Sequence, residues 1–156
     1  MVVNSSTDWT KYFRWYNGSK SIHTFSDGID TIKLNATGNL GIAFTRKATD
    51  INLDSNSYYT ISCEAKCTKS GAWLSIGRSY YTTGNSWTWR GGENKTTFNA
   101  VDTWQTFTLT FKPDANTQYI CYCFTCANGT SGGTDTFSIR HCKLEKGSTA
   151  TTWTLN

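Results

Sequence analysis

The chain reads as all-β, a stack or closure of short antiparallel strands, and three observations carry that reading. Aromatic residues reach 15% of the sequence, a content that suits pleated, half-buried surfaces better than helices. Apolar and polar residues alternate with period two in stretch after stretch, whereas apolar residues never recur at three and four over a helical length. Turn-forming Gly, Asn, Asp and Ser punctuate the chain at short intervals, the pattern of a sandwich or a barrel.

Taken in order, Ile32 and Leu34 flank Lys33 ahead of the turn-rich Asn35-Ala36-Thr37-Gly38-Asn39, and Ile42 and Phe44 resume the alternation. Tyr59, Ile61, Cys63 and Ala65 then alternate against Thr60, Ser62, Glu64 and Lys66, giving a strand with one face inward. After Lys69-Ser70-Gly71 the pattern predicts a strand over 73–78. The run Phe107-Thr108-Leu109-Thr110-Phe111 is the cleanest of all, with Thr106 extending its polar side and Pro113-Asp114 closing it. Further strands read at 119–126 and 136–144, separated by the polar segment 128–133. Only 82–100 reads as a long irregular stretch, and loops above about 12–15 residues are usually functional or disordered, so it is a candidate binding element.

With 156 residues the chain has the length of one domain, expected to span 1–156. Its 15 basic and 11 acidic residues, net +4, are scattered, with no basic run longer than Arg46-Lys47. That distribution argues against nucleic acid, which leaves a clustered basic footprint. No stretch approaches the roughly 18 apolar residues of a membrane span, so no membrane insertion is expected. The first residues lack the basic start and apolar run of a signal peptide.

Cysteines stand at 63, 67, 121, 123, 126 and 142. Cys121 and Cys123 fall on one face of a strand, where bridging each other would need severe distortion. The thiols read as reduced filler at positions that want a small apolar residue, as in a protein assembled in a reducing cytoplasm. The sharpest alternative is zinc, with Cys121, Cys123 and Cys126 completed by Cys63 and Cys67, although a clear second knuckle is lacking.

Three stretches carry a family resemblance. Residues 143–154, Lys-Leu-Glu-Lys-Gly-Ser-Thr-Ala-Thr-Thr-Trp-Thr, resemble the "LEKGSTAT-x-W" close of carbohydrate-binding-module-like domains in bacteriophage tail, baseplate and fibre proteins. Residues 57–66 are similar to that family's "YTLSFYAK" strand, and 103–111 to its "W-x-x-y-x-v-t-F" strand. Together they cover the chain from about residue 50 to its end; the first fifty residues match loosely, through an Asn-Ser start and a Trp. The resemblance implies a galactose-binding-like jelly-roll β-sandwich of two antiparallel sheets. It also implies a place on a phage virion, assembled in the bacterial host cytoplasm, and contact with cell-surface saccharide. Other tail-protein domains and a homotrimer are the further partners it suggests. The closing motif is a scaffold motif and says nothing of the ligand.

Sugars offer CH faces and many hydroxyls, so their sites need flat aromatic platforms beside amide, carboxylate or guanidinium groups. Residues 73–90 hold that vocabulary: Trp73, Arg78, Tyr81, Trp87, Trp89 and Arg90 are the candidate ligand-binding residues there. Trp87 and Trp89 share one side if the segment is extended. On the strand 59–66, Glu64 and Lys66 lie on the polar face, and Trp73 joins them as a platform if Leu74 and Ile76 are buried. The competing reading of Glu64 and Lys66 is a solvated face with a cross-strand ion pair. Arg14, Trp15 and Tyr16 form a second cluster, read as an N-terminal strand covering a sheet edge.

Catalysis finds no footing. His23 and His141 are far apart and no triad pattern accompanies them, so His141 reads as structural beside Cys142. Glu64, Glu93 and Asp102 could in principle supply a glycosidase carboxylate pair, but chance explains them better. No cofactor is expected; a structural calcium would need oxygen ligands such as Asp27, Asp30 or Asp135, and no loop pattern identifies them. The sequence thus predicts a non-catalytic, receptor-binding glycan module, with a tail assembly module using the same aromatics for protein contacts as its rival.

Overall fold

The structure, a computed structural model, describes residues 2–4, 13–16, 22–33, 38–47, 52–81, 87–89, 94–114, 117, 119–129 and 135–154. Among these residues are twelve strands: β1 (Val2–Asn4), β2 (Phe13–Tyr16), β3 (Ile22–Ser26), β4 (Ile29–Lys33), β5 (Gly38–Lys47), β6 (Tyr59–Cys67), β7 (Trp73–Tyr81), β8 (Trp87–Trp89), β9 (Asn94–Thr97), β10 (Gln105–Phe111), β11 (Tyr119–Gly129) and β12 (Thr136–Lys146). They form two antiparallel sheets. Sheet A runs β10-β6-β12-β4-β3 with β1 also on β12; sheet B runs β2-β5-β11-β7-β8 with β9 also on β7. The chain is an all-β jelly-roll sandwich.

Every strand expected over 59–66, 73–78, 106–111, 119–126 and 136–144 is present, each a little longer than its alternation. Asp27 and Gly28 join β3 to β4 with φ of 52° and 75°, the paired positive values of a two-residue hairpin turn. Segment 82–100 departs from expectation, since β8 and β9 both lie within it and both pair with β7. Neither Trp-Thr-Trp nor Asn-Lys-Thr-Thr alternates long enough to announce a strand; β7 supplies the ladder that orders them. The strand expected at Arg14-Trp15-Tyr16 is β2, an end strand of sheet B paired with β5.

Period-two alternation puts Tyr59, Ile61, Cys63, Ala65 and Cys67 of β6 into the interior, opposite Phe107 and Phe111 of β10. Leu74 and Ile76 of β7 meet them from sheet B, both fully buried. Phe98, just beyond β9, bridges the layers by packing edge-on against Phe107 and Phe137, with centroids 5.2 and 6.3 Å away. Each fully buried Ile, Leu or Phe side chain contributes about 1.5–3 kcal/mol relative to exposure. Cys63, Cys67 and Cys142 are buried and in no disulfide, and burial pushes the Cys63 thiol well up, which keeps it protonated and apolar.

Beside Cys63, β12 carries a bulge: Arg140 pairs with Glu64 and Lys143 with Ser62, so His141 and Cys142 together oppose one residue. His141 takes φ of 53° to make the step. The extra residue reverses the alternation, so Cys142 and Leu144 enter the core while Lys143 and Glu145 stay on the outer side.

Candidate functional site

The two outer faces of the sandwich are chemically unlike. On sheet A, Glu64 sits directly opposite Arg140 on one side and Thr106 on the other. The Arg140 Nε donates to Glu64 Oε2 at 2.7 Å, and His141 Nδ1 lies 3.1 Å from the same oxygen. Next along, Lys66 Nζ pairs with Asp102 Oδ1 at 2.8 Å. The Trp104 ring lies under both cations, 4.1 Å from the Arg140 guanidinium carbon and 5.4 Å from Lys66 Nζ. These groups are about a third exposed or more, so each pair is worth at most about 1 kcal/mol; their consequence is neutrality.

The rest of that face is covered by the chain's own ending. Lys143 and Glu145, only 3% and 6% exposed, form an ion pair at 3.0 Å and clamp the tail between them. Glu145 accepts the Thr151 N–H at 3.0 Å and also its hydroxyl. Lys143 Nζ donates to the Thr151 hydroxyl and to the Thr152 carbonyl at 3.0 Å. Burial pushes the Glu145 carboxyl up, but the Thr151 and Lys143 bonds outweigh it and hold the group below the usual carboxylate range. Trp153 then stacks on the His141 ring with centroids 4.2 Å apart. This is the physical content of the closing motif: its Glu, second Thr and Trp, together with Lys143 just ahead of it, are the parts of a clip.

Sheet B has no such cover among the described residues. Because Leu74 and Ile76 face the core, the alternate β7 positions 73, 75, 77, 79 and 81 lie on the outer face, and Trp73 is half-buried there. Register extends the assignment across the sheet. Tyr16, Gly41, Thr125 and Trp73 form one row; Arg14, Ala43, Cys123 and Ser75 the next; Thr45, Cys121 and Gly77 the third; Lys47, Tyr119, Ser79 and Trp89 the fourth. Tyr81 and Trp87 pair beyond it. Small residues therefore occupy the middle of the face, and Tyr16, Trp73, Tyr119, Tyr81, Trp87 and Trp89 its margins.

With both faces in view, the chain can be compared with known proteins. The sequence matches no protein-family model and no curated protein, but the fold has many likenesses. It is similar to the CBM22-1 xylan-binding domain from Paenibacillus barcinonensis Xyn10C, with a TM-score of 0.57 at 12% identity over 96% of this chain and 95% of that one. The Clostridium thermocellum family 11 module, in complex with a β-1,3-1,4-mixed-linked tetrasaccharide, gives 0.58 at 14% over 92% and 93%. The fold is the jelly roll of carbohydrate-binding modules. A further likeness is the enzymatically active domain of bacteriophage CBA120 tailspike protein 4, with a TM-score of 0.52 at 10% identity; it covers 94% of this chain but 19% of that one.

Placed in this jelly roll, the sequence-derived candidates divide. Trp73, Tyr81, Trp87 and Trp89 fall on one register face of sheet B. Arg78 takes the alternate register, with Leu74 and Ile76. Arg90 lies outside the described residues, as do the side chains of Arg78, Tyr81, Trp87 and Trp89. The expected grouping of Glu64 and Lys66 with Trp73 is corrected: the two charged residues lie on sheet A and Trp73 on sheet B, because outward positions of different sheets face opposite ways. Glu64 instead makes the cross-strand ion pair.

The zinc alternative loses its completing pair, since Cys63 and Cys67 are buried on β6 while Cys121 and Cys123 share the outer register of sheet B. For calcium, Asp27 accepts the Ser26 hydroxyl and Asp135 that of Thr68, Asp30 is buried on β4, and no group of three or more His, Cys, Asp or Glu gathers among the described residues. Trp104, Arg140, His141 and Trp153 were not legible as a group, because three separate elements bring them together. The only signals were the two motif tryptophans, Trp104 of 103–111 and Trp153 of the closing motif.

Proposed function

We propose that this chain is a non-catalytic glycan-binding module whose ligand lies across the outer face of sheet B. The register carries the reading: a floor of Gly41, Ala43, Ser75 and Gly77 leaves room for a saccharide chain, and aromatic residues stand at both margins. Stacking supplies the affinity, since each indole offers a flat apolar surface to the CH face of a pyranose. Polar neighbours such as Arg14, Lys47 and Thr125 select hydroxyls. The jelly-roll likeness to modules named for xylan and for a bound mixed-linked tetrasaccharide supports polysaccharide as the ligand class.

The parent, in this reading, is a phage tail-associated receptor-binding protein. Two observations support that placement: the closing motif and the tailspike likeness. Single sites of this kind bind weakly, and repetition on a trimeric tail raises effective affinity. A glycan array probed with the fluorescent chain tests the reading, followed by Trp73→Ala and Trp87→Ala. Binding to a defined polysaccharide, weakened about thirtyfold by either variant (about 2 kcal/mol), is the expected result. An array without hits, from a chain that forms a stable oligomer, would replace sugar binding with tail assembly.

A further inference from the structure

Sheet A holds a cleft of about 220 Å³ between β6, β10 and the clipped tail. Ser62, Glu64, Thr106, Thr108, His141 and Trp153 line it. None of the outer positions of sheet B lines it.

Register fixes the spacing of its polar groups. Thr106 stands opposite Glu64 and Thr108 opposite Ser62, so three hydroxyls and a carboxylate mark a rectangle of roughly 5 by 7 Å, from the strand spacing and the two-residue rise. That is the footprint of one hydroxyl-bearing six-membered ring. The volume agrees, lying below the roughly 300–1,000 Å³ of pockets for drug-sized ligands.

Charge narrows the class. The Glu64 carboxylate is already opposed by the Arg140 guanidinium at 2.7 Å, so the cleft holds no uncompensated charge to attract an ion. Glu64 retains acceptor capacity for hydroxyl donors, because a carboxylate offers about four lone-pair sites. The His141–Trp153 stack, with ring centroids 4.2 Å apart, adds an apolar wall.

We propose that this cleft is a second, small site that takes a single neutral sugar ring, separate from the site proposed on sheet B. The test is an NMR titration of the ¹⁵N-labelled chain with methyl glucoside, methyl galactoside and methyl N-acetylglucosaminide in turn. Saturable shifts of the amides of Ser62, Glu64, Thr106, Thr108 and residues 150–153, together with the Trp153 indole N–H, are expected for at least one of them. Thr106→Phe, at an exposed position on the end strand β10, fills the cleft and should weaken that binding about tenfold or more; Thr108→Phe serves as a second plug should the first misfold. No response from this set of amides to any of the three glycosides would overturn the proposal, as would unchanged binding in both plugged variants.

Discussion

The two outer faces are built from the same alternating strands, yet among the described residues the chain's own ending lies over part of sheet A and over none of sheet B. On sheet A every outward charge on β6 has a partner: Glu64 meets Arg140 and Lys66 meets Asp102. The indoles there are spoken for too, Trp104 by two cations and Trp153 by His141. On sheet B the central outward register positions are Gly, Ala, Ser, Thr and Cys. An aromatic residue alone therefore does not mark a binding site; what lies beside it decides whether it seals or receives.

The contrast can be broken most forcefully at the clip. Glu145→Ala leaves the Lys143 ammonium buried without its counter-charge and should cost about 3–5 kcal/mol in urea unfolding. Glycan binding on sheet B by the molecules that remain folded should be unchanged, because that face is untouched. On the other face the ranking inverts. Trp89→Ala should leave stability within about 1 kcal/mol while weakening glycan binding by about 2 kcal/mol, read by calorimetric titration.

Acid should act on sheet A first. The Glu145 carboxyl is held below the usual range in the folded chain, so the unfolded chain binds the proton more readily. That contribution is complete above the ordinary Glu range and is lost as pH falls through the lowered folded value. Glu145→Gln should flatten this part of the stability-against-pH curve, measured by thermal melts. The smallest effect belongs to Glu64→Gln, expected to cost under about 1 kcal/mol and to shrink further in added salt, since the Glu64–Arg140 pair is partly exposed and screened.

Much of the sheet layout was legible in the residues. β6 and β10 alternate without interruption, and their inward sets are the observed core. β8 and β9 were hidden, because three and four residues carry no period of their own and gain order from β7. The bulge at His141 was hidden for another reason: the left-handed position is taken by His rather than by Gly, so no residue announced it. Its consequence reaches the site, since without the reversed alternation Lys143 and Glu145 would point inward and the tail would have no clip. The joining of Glu64 and Lys66 with Trp73 failed because a strand's sequence tells which residues share a side, but not which sheet the strand enters. Trp73, Tyr81, Trp87 and Trp89 fell together because β7 and β8 are neighbours in one sheet, where period two alone relates them.

The most direct test measures the affinity of the best array glycan for two variants that each place one long side chain on one face. Ser75→Arg obstructs the floor of sheet B, and Thr110→Arg adds the same group to sheet A. A loss of about thirtyfold or more in the first with unchanged affinity in the second is the predicted result. Full affinity in Ser75→Arg would contradict the assignment of the glycan to sheet B.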